Sequence, residues 1–396
     1  MRLVNVVKPT HICNLACEYC YNDDVRKPIM SDATLRNVIA KTIDYANATP
    51  VVKDIDFIWH GGEPTVAGID FFARAIQYQS ECDPRATVTN HLQTNGTLLN
   101  KKWIRFLKRH DFKISLSLDG PQEINDTYRV TRAGIGTFDK VMSSIELLKL
   151  GGFPVGICLV LSKANIHRVE EIYDFLVSHE LGFNVIPMTM SGAARDRYQD
   201  LGINADEYAD AWIRMYDRWF ESRAAYTYCQ DFVLKTRAIL YGKPADCISM
   251  ANCANFNLSV DPVGDVYSCA SLSGNLAARL GNIDENSIGG ILDGQRGREF
   301  RARDVDAQCA KCKWQHVCHG GCLSRAYKFH GSVHTRDFYC PGLFRIYEHI
   351  ECRLAERGIH AGHPHPWHLS DGLDPSVLPV TRKISSALRV IPIQSI

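Results

Sequence analysis

A chain of 396 residues, 45% apolar and 22% charged, has ordinary globular composition and is long enough for one large domain or two to three smaller ones. Its formal net charge of +1 gives no strong field for nucleic acid or an anionic membrane surface, and no apolar run reaches the roughly 18 residues of a membrane span. The opening Met1-Arg2-Leu3-Val4-Asn5-Val6 reads as a strand rather than a signal peptide, so the expectation is a soluble, cytoplasmic protein with neither nucleic acid nor membrane as partner.

In chain order, six β-rich apolar runs alternate with segments of helical period. The runs are LVNVVKP, DIDFIWHGG, TVTNHLQTNG, KISLSLDGP, VGICLVLSK and FNVIPMTMS; the segments between them place apolar residues three and four apart. Strands joined by crossover helices make a parallel α/β unit, and six repeats fall short of a closed eight-strand barrel. The predicted fold class is therefore α/β, with a partial (β/α)6 TIM-like barrel over residues 1–203. A helical linker is expected over 204–243, then a small cysteine-rich domain over 244–345 whose modest core needs metal staples, and a C-terminal helix and tail over 346–396.

Fifteen cysteines are many for such a chain. Their short-spaced clusters, with no signal peptide, suit thiolate ligation in a reducing compartment better than disulfides. Cys13, Cys17 and Cys20 form a CxxxCxxC loop directly after the first strand. Were they to hold a four-iron cluster, one iron would lack a protein ligand and could bind something else. A zinc site or three incidental thiols is the plainer reading. HGGEP, QTNG and SLDGP follow strands two, three and four, and loops at that end of such folds gather on one face.

The segment CNLACEYC resembles the CxxxCxφC loop of radical S-adenosylmethionine (SAM) enzymes, with Tyr19 at φ. That resemblance implies an open iron chelating the amino and carboxylate groups of SAM, and a 5′-deoxyadenosyl radical that abstracts hydrogen from a substrate. It also implies that Gly61, Gly62, Glu63 and Pro64 form the family's GGEP motif, with backbone approaching the SAM amino group and Glu63 accepting from the ammonium. By the same resemblance Asn95, Ser117 and Asp119 line the ribose and methionine side, Arg129 or Arg132 pairs with the SAM carboxylate, and Met188 touches the adenine. Taken singly these are turns, a solvated arginine and a core methionine.

A second field comprises Cys247, Cys253, Cys269, Cys309, Cys312, Cys318, Cys322 and Cys340. The last seven, with Gly264, match the seven-cysteine signature of the SPASM domain. Carried over from sulfatase-maturating relatives, Cys247, Cys253, Cys269 and Cys322 would hold one auxiliary cluster, and Cys309, Cys312, Cys318 and Cys340 the other. The implied cofactors are three 4Fe–4S clusters and SAM; two structural zinc sites are the alternative. Closed clusters suit electron transfer, or shaping the substrate site, better than substrate coordination. Cys82, Cys158, Cys229 and Cys352 are expected to be small buried apolar residues, and the histidines of HAGHPHPWH part of an extended tail.

Together these motifs look most like sulfatase-maturating enzymes and their peptide-crosslinking cousins. In the former, an Asp after the third ligand of the first auxiliary cluster is the base; here that place holds Ala270, with Asp261, Asp265 and Tyr267 nearby. A methyl group takes no proton, so formylglycine formation by that route is disfavoured. The expectation is thus a peptide maturase, a radical SAM oxidoreductase that crosslinks or oxidises side chains of a ribosomally made peptide, fed by a donor such as flavodoxin or ferredoxin. The first strand starts almost at the N-terminus, so a leader-binding domain there is not expected. A small-molecule dehydrogenase or rearrangement enzyme, a formylglycine-forming enzyme and a zinc-stapled scaffold remain as alternatives.

Overall fold

The computed structural model describes residues 1–22, 28–222 and 229–360. Among the described residues nine strands occur: β1 (Arg2–Val7), β2 (Asp54–Trp59), β3 (Thr87–Thr94), β4 (Lys113–Ser117), β5 (Gly156–Leu161), β6 (Gly182–Pro187), β7 (Asn257–Val260), β8 (Asp265–Tyr267) and β9 (Gly281–Asn282). They form one sheet in the order β6-β5-β4-β3-β2-β1-β7-β8-β9, so it has two edges and does not close. Each of the six expected runs supplies one of β1–β6, all paired in parallel. Strands of this kind are covered on both faces, hence the near-continuous apolar runs.

Helices α1 (Asp32–Ala48), α2 (Ile69–Glu81), α3 (Lys101–Arg109), α4 (Gln122–Tyr128), α5 (Phe138–Leu150) and α6 (Val169–Ser178) lie between successive strands. α1 starts where Ser31 accepts from the Thr34 amide, a cap worth about 1 kcal/mol, and buries Leu35, Val38, Ile39 and Ile43. Behind β2, Trp59, Phe72 and Trp103 pack edge to face with centroids 5.5 and 5.4 Å apart. Such pairs add about 0.5–1.5 kcal/mol each beyond their buried area, which makes the base under the loops stiff.

Packing does not break at residue 244. β7 pairs in parallel with β1, from Val4 opposite Asn257 to Val7 opposite Val260, and Leu258, Val260 and Val266 share one hydrophobic cluster with Leu3 and Val7. The physical reason is that β1 would otherwise be an unpaired edge. A second, smaller cluster built on Tyr267, Leu272, Phe300 and Leu323 lies beyond it. The helical stretch expected after the barrel is described as two helices, Ala205–Glu221 and Gln230–Tyr241. Against the first packs the Cys340–Glu356 helix, where Arg345 bonds Asp210 at 2.5 Å and His349 meets Asp217 at 2.7 Å. His363, His365 and His368 lie outside the described residues. No helix among the described residues is long and apolar enough to cross a membrane.

Candidate cofactor and cluster sites

The loops after β1, β2, β3 and β4 meet at the carboxyl ends of the strands. The cysteine loop is stitched to its neighbours by backbone bonds: Ala16 to Val130 at 2.9 Å, Gly62 to Thr10 at 2.9 Å and Glu63 to Ile12 at 2.9 Å. Glycine is required at the contact. A Cβ on Gly62 would lie 2.3 Å from the His11 carbonyl oxygen, and one on Gly61, which has φ +135°, 2.3 Å from that of Thr10.

Cys13, Cys17 and Cys20 border a cavity that opens to solvent. Of the residues expected around the cofactor, Tyr19, Gly61, Gly62, Asn95, Ser117, Arg129 and Met188 line it; Glu63, Pro64, Asp119 and Arg132 do not. Burial pushes the Cys13 thiol up to about 12 and Cys17 to about 11, and the neighbouring thiols push the same way. Such a group holds thiolates only around a compensating cation, which iron supplies. The donor set therefore fits the cluster.

The structure separates the two candidate arginines. Arg129 is buried, its Nε donating to Asp119 Oδ2 at 3.0 Å, while Tyr19 donates to the same carboxylate and the Val160 amide to its other oxygen at 3.1 Å. Burial works against the guanidinium charge, but Asp119 outweighs it and the pKa is raised. A fixed cation thus faces the cavity. Arg132 instead donates to the Cys13 carbonyl at 3.0 Å. Asp119 is the anchor of Arg129 rather than a cavity residue.

Glu63 also departs from its expected place. It is fully buried and accepts from the Thr65 amide at 3.0 Å, the Thr65 and Thr94 hydroxyls at 2.5 and 2.6 Å, and the Asn95 amide at 2.7 Å. The carboxylate ties the GGEP turn to the Asn95 loop. Two of its four donors, on Thr94 and Asn95, come from the end of β3, which is why the motif alone did not show this role.

Sequence reasoning assigned no site role to Tyr21, His60, Gln93 and Cys158, all of which line the cavity. His60 Nδ1 accepts from the Gly61 amide at 2.6 Å, which leaves Nε2 to carry the proton. Burial, with Lys8 adding to it, pushes His60 down to about 3, so the ring is neutral. The Tyr21 hydroxyl lies 3.3 and 3.4 Å from its two nitrogens, and burial raises that phenol well above its usual range. Cys20, Cys269 and Cys158 add to that rise. The Cys158 thiol donates to Gln93 Oε1 at 3.1 Å. Cys229 is buried as expected, but Cys82 is half-buried and Cys352 exposed, because each sits towards the outer face of its helix end or helix.

The eight remaining cysteines fall into two groups. Cys247 feels Cys253, Cys322 and Cys269, whereas Cys340 feels Cys309 and Cys312, and Cys318 feels Cys340. Burial pushes Cys253 and Cys318 up to about 12 each, the donor chemistry seen at the first site. Gly264 turns the chain at φ +84° between Cys253 and Cys269. The Ala270 methyl packs on Val4, Val6 and Ile58, and Asp261, Asp265 and Tyr267 are buried without lining the cavity.

Known proteins share this arrangement. Residues 7–176 match the radical SAM superfamily and residues 247–313 the iron-sulfur cluster-binding domain called SPASM, which sets the zinc alternative aside. The serine-type anaerobic sulfatase-maturating enzyme of Klebsiella aerogenes is 30% identical over 85% of this chain and 82% of its own length. The cysteine-type enzyme of Clostridium perfringens is 28% identical over 88% of this chain and 96% of its own. The structure of native anSMEcpe with bound AdoMet superposes with a TM-score of 0.79 and 27% identity, covering 90% of this chain and 99% of that one. With a mixed α/β fold, an open cysteine loop and a SPASM domain, the chain belongs to the radical SAM family of the anaerobic sulfatase-maturating enzymes, whose cofactors are AdoMet and three 4Fe–4S clusters.

Proposed function

We propose that the protein oxidises a side chain of a peptide or protein substrate, removing two hydrogen equivalents and closing a crosslink or leaving an oxidised side chain. Cys13, Cys17 and Cys20 would hold the cluster that, with AdoMet bound, would supply hydrogen-abstracting radical chemistry, and the two later cysteine sets would hold clusters suited to electron transfer. Arg129, held by Asp119, binds the cofactor carboxylate, and Asn95 and Ser117 line its pocket. The Tyr21 hydroxyl, set against His60, faces the same cavity.

The observation that carries the choice of reaction is the cavity wall: no Asp or Glu lines it among the described residues, and the base position is the buried methyl of Ala270. This supports bond formation, or oxidation, that does not rest on a carboxylate deprotonating a thiol or alcohol. The peptide substrate is supported by a sulfatase maturase matched over most of both chains and by the anSMEcpe structure with bound Kp18Cys peptide, which has a TM-score of 0.80 at 27% identity. A second reading, formylglycine formation with another proton acceptor, is favoured by that same 30% identity.

The test is to incubate loaded, reduced enzyme and AdoMet with candidate precursor peptides and with a sulfatase-motif peptide, following 5′-deoxyadenosine and peptide mass. Peptide-stimulated 5′-deoxyadenosine, with a peptide lighter by two hydrogens and unreactive to a hydrazide, supports the first reading. A hydrazide-reactive product supports the second. Turnover indifferent to every peptide and responsive to small alcohols would overturn both.

A further inference from the structure

Between the two auxiliary sets the chain runs from Cys318 to Cys322 through His319, Gly320 and Gly321, with φ of +48°, +85° and +74°. Three successive left-handed residues bend this link sharply and turn its carbonyls out of any regular ladder. Arg303 takes two of them, sharing that of Gly320 with the Asp337 amide at 2.8 Å. Its Nη1 donates to the Gly321 carbonyl at 2.6 Å, its Nη2 to those of Gly320 at 3.2 Å and Thr335 at 3.0 Å, and its Nε to that of Val333 at 2.7 Å. The link has no slack, since a Cβ on Gly320 would lie 2.7 Å from the Val305 side chain.

All four acceptors are neutral carbonyls, and among the described residues no carboxylate lies within ion-pair distance of Arg303. Three other cations near these cysteines are paired with carboxylates: Arg325 with Asp337 at 2.5 Å, Lys235 with Asp231 at 2.5 Å and Asp246 at 3.0 Å, and Arg336 with Asp306 at 3.4 Å. Arg303 nevertheless reaches both sets. The Gly320 and Gly321 carbonyls that it holds lie between Cys318 of one set and Cys322 of the other.

We propose that Arg303 is a positioning residue that sets the reduction potentials of both auxiliary clusters, clamping the Cys318–Cys322 link and holding one unneutralised positive charge beside each set. A positive charge near an iron-sulfur cluster favours the form with the extra electron, so this residue makes both clusters readier acceptors. The inference rests on the SPASM cysteines being loaded and not on the peptide reading, because the potentials are measured without substrate.

The experiment is an EPR-monitored redox titration of fully loaded, substrate-free enzyme. Arg303→Gln is expected to keep its iron and to lower the reduced-to-oxidised ratio of both auxiliary clusters about tenfold at fixed potential, about 59 mV for a one-electron couple, while the cluster of the first loop stays put. Arg303→Lys, which keeps the charge and loses the fork, is expected to stay within about threefold of wild type. Should Arg303→Gln lose iron, Thr335→Asp carries the test by placing a carboxylate beside the intact guanidinium, with the same direction of shift expected. Auxiliary potentials within about twofold of wild type in the variant that loads, or a full shift reproduced by Arg303→Lys, would overturn the proposal.

Discussion

The first cysteine loop and the SPASM field use the same ligand for opposite ends. Cys13, Cys17 and Cys20 sit half-exposed on one short loop, at the rim of a cavity that also holds a fixed guanidinium. The second field draws thiols from widely separated segments, with Cys269, Cys309 and Cys322 buried. There Ser271 and Ser324 lie 3.1 and 3.2 Å from the sulfurs of Cys269 and Cys322, and Asp337 accepts from the Cys322 amide at 2.8 Å. Three thiols beside open space leave a cluster position for another ligand, and four in a closed frame leave none.

Substitutions break this contrast in graded steps. Cys17→Ala should abolish 5′-deoxyadenosine release and remove about four of about 12 irons, leaving the auxiliary EPR signals in place. Cys322→Ala should do the reverse, keeping uncoupled AdoMet cleavage while peptide modification is lost. Iron assay and chromatography distinguish the two. Next in size, Arg129→Gln strands Asp119, which is 2% exposed, and should cost about 3–5 kcal/mol of stability by chemical denaturation and weaken AdoMet binding by at least about tenfold.

Gly62→Ala is expected to cost about 1–3 kcal/mol in the same assay, since its new methyl meets the His11 and Ile12 carbonyls, and to displace the cysteine loop enough to lower iron at the first site only. The smallest effect belongs to Cys352→Ser. That thiol is exposed and belongs to neither set, so stability should hold within about 0.5 kcal/mol and iron content should not change.

What could be read from the chain was whatever is local along it. The CxxxCxxC loop, the strand-loop alternation and the SPASM spacing are each written in short stretches or fixed intervals, so they announced the cofactor class. Roles that depend on a distant partner stayed hidden. Choosing Arg129 over Arg132 needed the pairing of the cysteine loop with Val130 and Thr131, and Glu63 needed Thr94 and Asn95 brought over from the next strand. That β7 would extend the sheet beside β1 could not be seen either, because a parallel pairing between residues 4–7 and 257–260 leaves no mark in local periodicity. Cys158 looked like any small core residue until Gln93 stood opposite its thiol.

The most direct measurement compares the EPR spectra of reduced, loaded protein with and without AdoMet, in wild type and in a variant with Cys13, Cys17 and Cys20 all replaced by Ala. AdoMet should change the wild-type spectrum and leave the variant's two remaining clusters untouched. A wild-type spectrum indifferent to AdoMet, or an AdoMet-dependent change that persists in the variant, would contradict the assignment of the open iron to the first loop.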